Sequence, residues 1–100
     1  VYDEMGKYLE ALSFYSKAAL ILENKLSQDH PVLATYYNNI GLLFDKIGDH
    51  RKAKASLEKA LALRLKTLPA DHPDLATSYD SMGVLHTRMG QYSEALRCYD

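Results

Sequence analysis

Residues Asp29 to Gly48 read DHPVLATYYNNIGLLFDKIG, and the pattern returns at Asp71 to Gly90 as DHPDLATSYDSMGVLHTRMG, an offset of 42 residues. Asp29/Asp71, His30/His72, Pro31/Pro73, Leu33/Leu75, Ala34/Ala76, Thr35/Thr77, Tyr37/Tyr79, Gly41/Gly83, Leu43/Leu85 and Gly48/Gly90 are identical pairs. The same spacing joins Gly6 to Gly48, Ala11 to Ala53, Lys17 to Lys59, Ala18 to Ala60 and Leu26 to Leu68. A fixed period of this size marks a stacked array. It constrains the fold because a unit this small cannot bury its own apolar face; its neighbours must cover it.

Within each period the apolar positions fall at helical spacing. Val1 to Met5 read as the tail of one helix and Gly6-Lys7 as a turn. A second helix is expected from Tyr8 to Leu26, with Tyr8, Ala11, Leu12, Tyr15, Ala18, Ala19, Leu22 and Leu26 on its apolar side. Pro31 suits a helix's first turn, where its missing N–H has no partner to lose. The next helix is therefore expected over Pro31 to Ile47, with Leu33, Ala34, Tyr37, Ile40, Gly41, Phe44 and Ile47 inward. Gly48-Asp49 reads as a tight turn, His50 to Leu68 as a helix, Pro73 to Met89 as another, and Gly90-Gln91 as a further turn before Tyr92. In the His50 helix Ala53, Leu57, Ala60, Leu61, Leu68 and the stem of Arg64 face inward. Turns of about two residues force neighbouring helices antiparallel. No alternating run or Asn-Gly hairpin signal suggests a strand.

These residues resemble the tetratricopeptide repeat across essentially the whole chain. That pattern places an aromatic, then Leu-Gly, then an aromatic in its first helix, followed by a turn glycine and by aromatic and alanine positions in its second. Here one unit supplies Tyr37, Ile40-Gly41, Phe44, Gly48, His50, Ala53, Leu57 and Ala60. The next supplies Tyr79, Met82-Gly83, His86, Gly90, Tyr92, Ala95 and Tyr99, and a partial first unit supplies Tyr2, Gly6, Tyr8, Ala11, Tyr15 and Ala18. The resemblance implies an all-α fold, an α-α superhelix (a right-handed solenoid) of antiparallel helix pairs. The division would be a partial repeat at 1–28, a full repeat at 29–70 and a nearly full one at 71–100, the whole being a slice of a longer array. The commonest repeat of this kind has about 34 residues. The longer period and the linker KTLPADHPDLA from Lys66 to Ala76 resemble the repeats of kinesin light chain.

In such superhelices the first helix of each pair lines a concave groove. The resemblance therefore implies a non-catalytic scaffold that binds a partner peptide or helix there, with neighbouring repeats of the parent chain as its other partners. The positions implied are Thr35, Asn38, Asn39, Leu42, Asp45 and Lys46 in one unit and Thr77, Asp80, Ser81, Val84, Thr87 and Arg88 in the next. In light-chain-like repeats an Asn-Asn pair hydrogen-bonds the backbone of an extended peptide; Asn38-Asn39 matches it and Asp80-Ser81 departs from it. Gly41 and Gly83 are expected at close helix approaches, with Ala53, Ala60 and Ala95 small for the same reason. The alternative reading is an accessory array in a larger enzyme or signalling protein.

The remaining chemistry is bland. A net charge of -1 gives no footprint for nucleic acid. The longest apolar run, Ala18 to Leu22, is far too short to span a bilayer, so no membrane partner is expected. Cys98 is the only cysteine, which fits a reducing, cytoplasmic setting and allows no internal disulfide. A reactive thiol needs an electropositive setting and only Arg97 is adjacent, so an inert thiol is expected. His30 and His72 sit one repeat apart beside Pro, which favours capping and loop packing over metal ligation. His50 and His86 hold aromatic positions of the repeat, so core packing is expected of both. No phosphate loop, nucleophile elbow or HExxH motif is present; neither catalysis nor a cofactor is expected.

Overall fold

The computed structural model describes residues 2–99, and the side chains of residues 4–91. The chain forms four helices: α1 Tyr2–Lys25, α2 Pro31–Ile47, α3 His50–Thr67 and α4 Pro73–Tyr99. Among the described residues there is no strand. The all-α repeat expectation therefore holds. Consecutive helices pack on one another, α2 also meets α4, and the α1 and α3 backbones stay apart.

The middle of the chain follows the sequence closely. His30 caps α2 in an extended conformation, and its Nδ1 accepts the Val32 N–H at 3.2 Å. His72 does the same for α4, accepting the Asp74 N–H at 3.0 Å. Both histidines thus serve as caps, satisfying N–H groups that a helix start leaves without partners. α2 ends at Gly48, whose φ of 100° lies in the left-handed region that glycine enters at least cost. The Gly48 and Asp49 N–H groups both return to the Phe44 carbonyl, at 3.0 and 2.9 Å. Asp49 then caps α3 by accepting the Lys52 N–H at 3.2 Å. Leu68, which precedes Pro69, is extended and closes α3.

The two outer turns do not form. α1 runs through Gly6-Lys7 and α4 through Gly90-Gln91 as continuous helix. The physical difference lies in the residue after each glycine. Asp49 can accept an N–H from the new helix, whereas Lys7 and Gln91 occupy the same place and are poor N-caps. A glycine inside a helix costs only about 1 kcal/mol. Without a cap to favour the break, the hydrogen-bonded ladder continues.

The core is a pair of clusters. Leu33, Tyr37 and Ala60 form one, with Leu22 and Leu63 against it. Ala53, Leu57 and Leu85 form the other, with Phe44, Met82 and Met89 against it. Between them Gly41 is buried so tightly that a Cβ there would lie 2.8 Å from Leu57 Cγ and 3.2 Å from the Ala53 carbonyl oxygen. Gly83 does not repeat this: a Cβ there would meet nothing within 4 Å. The expectation of close approach therefore holds at Gly41 and fails at Gly83, because no described helix covers that side of α4. For the same reason His86 is exposed rather than a core residue, while His50 is half-buried. Ala95 and Cys98 fall outside the described side chains.

The contrast between the glycines is measurable. Gly83→Ala is expected to stabilise the chain by about 0.5–1 kcal/mol, the helix-propensity gain at an open site. Gly41→Leu is expected to cost about 1–3 kcal/mol or more through overpacking. Urea midpoints of the two variants check this; equal shifts would refute the packing assigned to Gly41.

Candidate functional site

The positions implied for a groove lie on α2 and α4, the two helices that carry the repeated DHP-to-Gly stretch. Thr35, Leu42 and Lys46 on α2 are exposed, as are Thr77, Asp80, Val84, Thr87 and Arg88 on α4; Asn39 and Ser81 are half-buried. Leu42 and Val84, one period apart, are 37% and 51% exposed. Thr77 and Thr87 turn their hydroxyls back onto the Pro73 and Gly83 carbonyls of their own helix. Lys46 lies over the Tyr8 ring, 5.7 Å from its centre, which ties it to α1.

Two of the twelve positions are not open to solvent. Asn38 is buried, and its Oδ1 has no hydrogen-bond partner among the described residues. Asp45 is buried as well and serves the fold: Arg88 of α4 donates to its Oδ2 at 2.6 Å, and His50 at the start of α3 places Nδ1 3.3 Å from its Oδ1. This carboxylate thus joins α2, α3 and α4 where they converge. Helical spacing put Asp45 and Arg88 on one surface; their mutual contact needs the stacking of two units, which spacing alone does not supply.

A second feature was not visible in the sequence. Because the α1 and α3 backbones stay apart, a cleft of about 630 Å³ opens between them over Leu33 and Tyr37. Its walls carry Glu23 and Asp29 on one side and Lys59 and Lys66 on the other. The charges pair across it: Lys66 meets Asp29 at 3.1 Å, and Lys59 stands 4.0 Å from Glu23 and 4.3 Å from the centre of the Tyr37 ring. The Tyr37 hydroxyl donates to Glu23. Burial first, then that hydrogen bond and the carboxylate's negative charge, push the Tyr37 phenol well above the ordinary tyrosine range. The repeat tyrosine was legible as a core knob; the glutamate fourteen residues earlier, which takes its hydroxyl, was not.

Arg64, read as inward by its stem, is buried to its head: its Nη1 donates to Ser78 Oγ at 2.8 Å and to the Asp74 carbonyl at 3.2 Å. Among the described residues no group of three or more His, Cys, Asp or Glu is placed to hold a metal ion. Nor, among them, is any helix long and apolar enough to cross a membrane.

A family model for the tetratricopeptide repeat matches residues 1–66 and again 57–100. The chain belongs to that family, whose repeats mediate protein–protein interaction. No curated protein is significantly similar to it.

Two consequences of this geometry can be checked. Arg88→Ala leaves the buried Asp45 carboxylate with a weaker set of partners and is expected to cost about 1–3 kcal/mol; thermal melts that do not move would show the pair to be inconsequential. For Tyr37 the folded pKa lies above the unfolded one. Its contribution is therefore complete below about pH 10 and is lost as pH rises through and beyond that value. The urea midpoint should fall between about pH 9 and 11, and Tyr37→Phe should fall less steeply. Parallel slopes would rule out the Tyr37–Glu23 contact as the cause.

Proposed function

We propose that the chain is a non-catalytic scaffold segment that holds an extended peptide of a protein partner along the face shared by α2 and α4. The observation that carries this reading is the exposed Leu42 and Val84 pair, one period apart on two adjoining helices and flanked by Thr35, Asn39 and Asp80. Such a rail offers two apolar contacts with polar groups between, the arrangement that lets side chains set specificity while backbone groups find hydrogen bonds. Of the asparagine pair, Asn39 is the one a peptide reaches, since Asn38 is buried.

Within this reading the units are 29–70 and 71–100, preceded by a partial one. The 42-residue period and the KTLPADHPDLA linker favour a cargo- or adaptor-binding module of the kinesin-light-chain kind, working in the cytoplasm. The family match and the absence of any catalytic constellation in the reading of the sequence support binding over chemistry.

The test is a peptide array probed with the chain, followed by titration of the strongest binder against Leu42→Asp, Val84→Asp and Asn39→Ala. Each aspartate is expected to weaken binding at least tenfold, about 1.4 kcal/mol. Affinity untouched by all three variants would remove the α2–α4 face from consideration.

A further inference from the structure

The cleft over Tyr37 lies on the far side of α2 from the α2–α4 face. Leu33, in its floor, and Leu42, on that face, are separated along α2 by about two and a half helical turns, so they point in opposite directions. Both walls and the floor of the cleft come from α1, α2 and α3, so the spread of those three helices sets its opening. It runs on into a second hollow of about 300 Å³, with which it shares Glu23, Tyr37 and Lys59. Together they form a furrow that follows α3 from Ala55 to Lys66, about 16 Å at the helical rise per residue. Small side chains line much of it, Ser16 and Ala19 on α1 and Ala55 and Ala62 on α3, and Leu20 in its wall is 62% exposed. The acids Glu23 and Asp29 stand on one side, the bases Lys59 and Lys66 on the other. Neither Glu23 nor Lys66 follows from the repeat, since one period away stand Leu65 and Asn24.

We propose that this furrow is a second binding site, which takes an amphipathic helix of a partner protein. The partner helix lays an apolar stripe against Leu20 and Leu63. Acidic residues along one of its edges face Lys59 and Lys66, and basic residues along the other face Glu23 and Asp29. The spacing of the lysines selects a helix over an extended strand. Lys59 and Lys66 lie on one side of α3, two turns or about 10.5 Å apart along its axis. A helix running alongside presents an acid at that distance with every seventh residue. A strand presents same-side residues about every 6.8 Å and misses the second lysine. The furrow's length takes about three helical turns. The bridges already spanning it do not bar entry. Lys66 with Asp29 and Lys59 with Glu23 pair exposed side chains, and pairs of that kind contribute little, so exchanging them for equal pairs with a partner is nearly neutral. Because the furrow and the α2–α4 face look opposite ways, this site stands whether or not a peptide binds that face.

Fluorescence anisotropy of a labelled synthetic helix against the intact chain tests this. The probe spans about three heptads, with leucine and alanine in one stripe, glutamates every seventh residue on one edge and lysines on the other. Saturable binding is expected, with methyl chemical-shift changes at Leu20 and Leu63. Lys59→Gln/Lys66→Gln is expected to weaken it about tenfold with far-ultraviolet circular dichroism unchanged. Two altered probes leave the chain itself untouched. Moving the glutamates off the seven-residue spacing is expected to cost a similar factor, and a central proline, which breaks the helix, is expected to abolish binding. A wild-type chain that does not bind the probe overturns the proposal. So does a proline probe that binds equally well, which makes the occupant an extended peptide, or an affinity indifferent both to the lysine changes and to the glutamate spacing. Shift changes confined to the Leu42 and Val84 methyls overturn it as well, by putting the probe on the α2–α4 face.

Discussion

The approach of α2 to α3 at Gly41 governs the rest of the structure. With no side chain there, Leu57 comes closer than a Cβ would allow without a shift, and the Ala53 carbonyl comes into tight contact. That closeness seats Ala60 against Leu33 and Tyr37, and it brings Phe44 to the cluster that Leu57 and Ala53 share with Leu85. Interiors pack at near-crystalline density, so one small position can set the spacing of two whole helices. The Gly48 turn and the Asp49 cap then make this pairing a local matter of two adjacent helices.

Joining one pair to the next uses different chemistry at equivalent places. Where α1 meets α2, Leu22 packs toward the core and Tyr36 meets Tyr15 edge-on at 5.8 Å. Where α3 meets α4, the same two repeat positions hold Arg64 and Ser78, joined by a hydrogen bond of 2.8 Å. The backbone arrangement recurs while an apolar and aromatic junction gives way to a buried polar one. A long buried side chain needs a small neighbour and a partner for its head, and Ser78 supplies both. Asp45 adds a second polar tie across the same boundary by accepting from Arg88.

A face of a stacked unit is buried only where another helix lies on it, and among the described residues that separates equivalent positions of the repeat. Tyr37 and Tyr79 are the same residue in the same motif, yet one lies in the core and the other in solvent. Likewise Gly48 turns the chain while Gly6 and Gly90 do not. Glycine only permits a turn; a following cap such as Asp49 makes the turn favourable.

Local rules in the sequence were enough for much of this. Pro31 and Pro73 mark helix starts, Gly48-Asp49 a turn, and the 3–4 spacing of Leu33, Ala34, Tyr37, Ile40 and Gly41 a buried face. Each depends on residues within one or two helical turns, so each is legible without coordinates. Tertiary structure alone decided that Asp45 is spent on Arg88 and His50, that Asn38 is buried, that Glu23 takes the Tyr37 hydroxyl, and that the α1 and α3 backbones part to leave a cleft. Those outcomes join residues from 5 to 43 positions apart or depend on which neighbour is present, and periodicity along a chain carries no information about either.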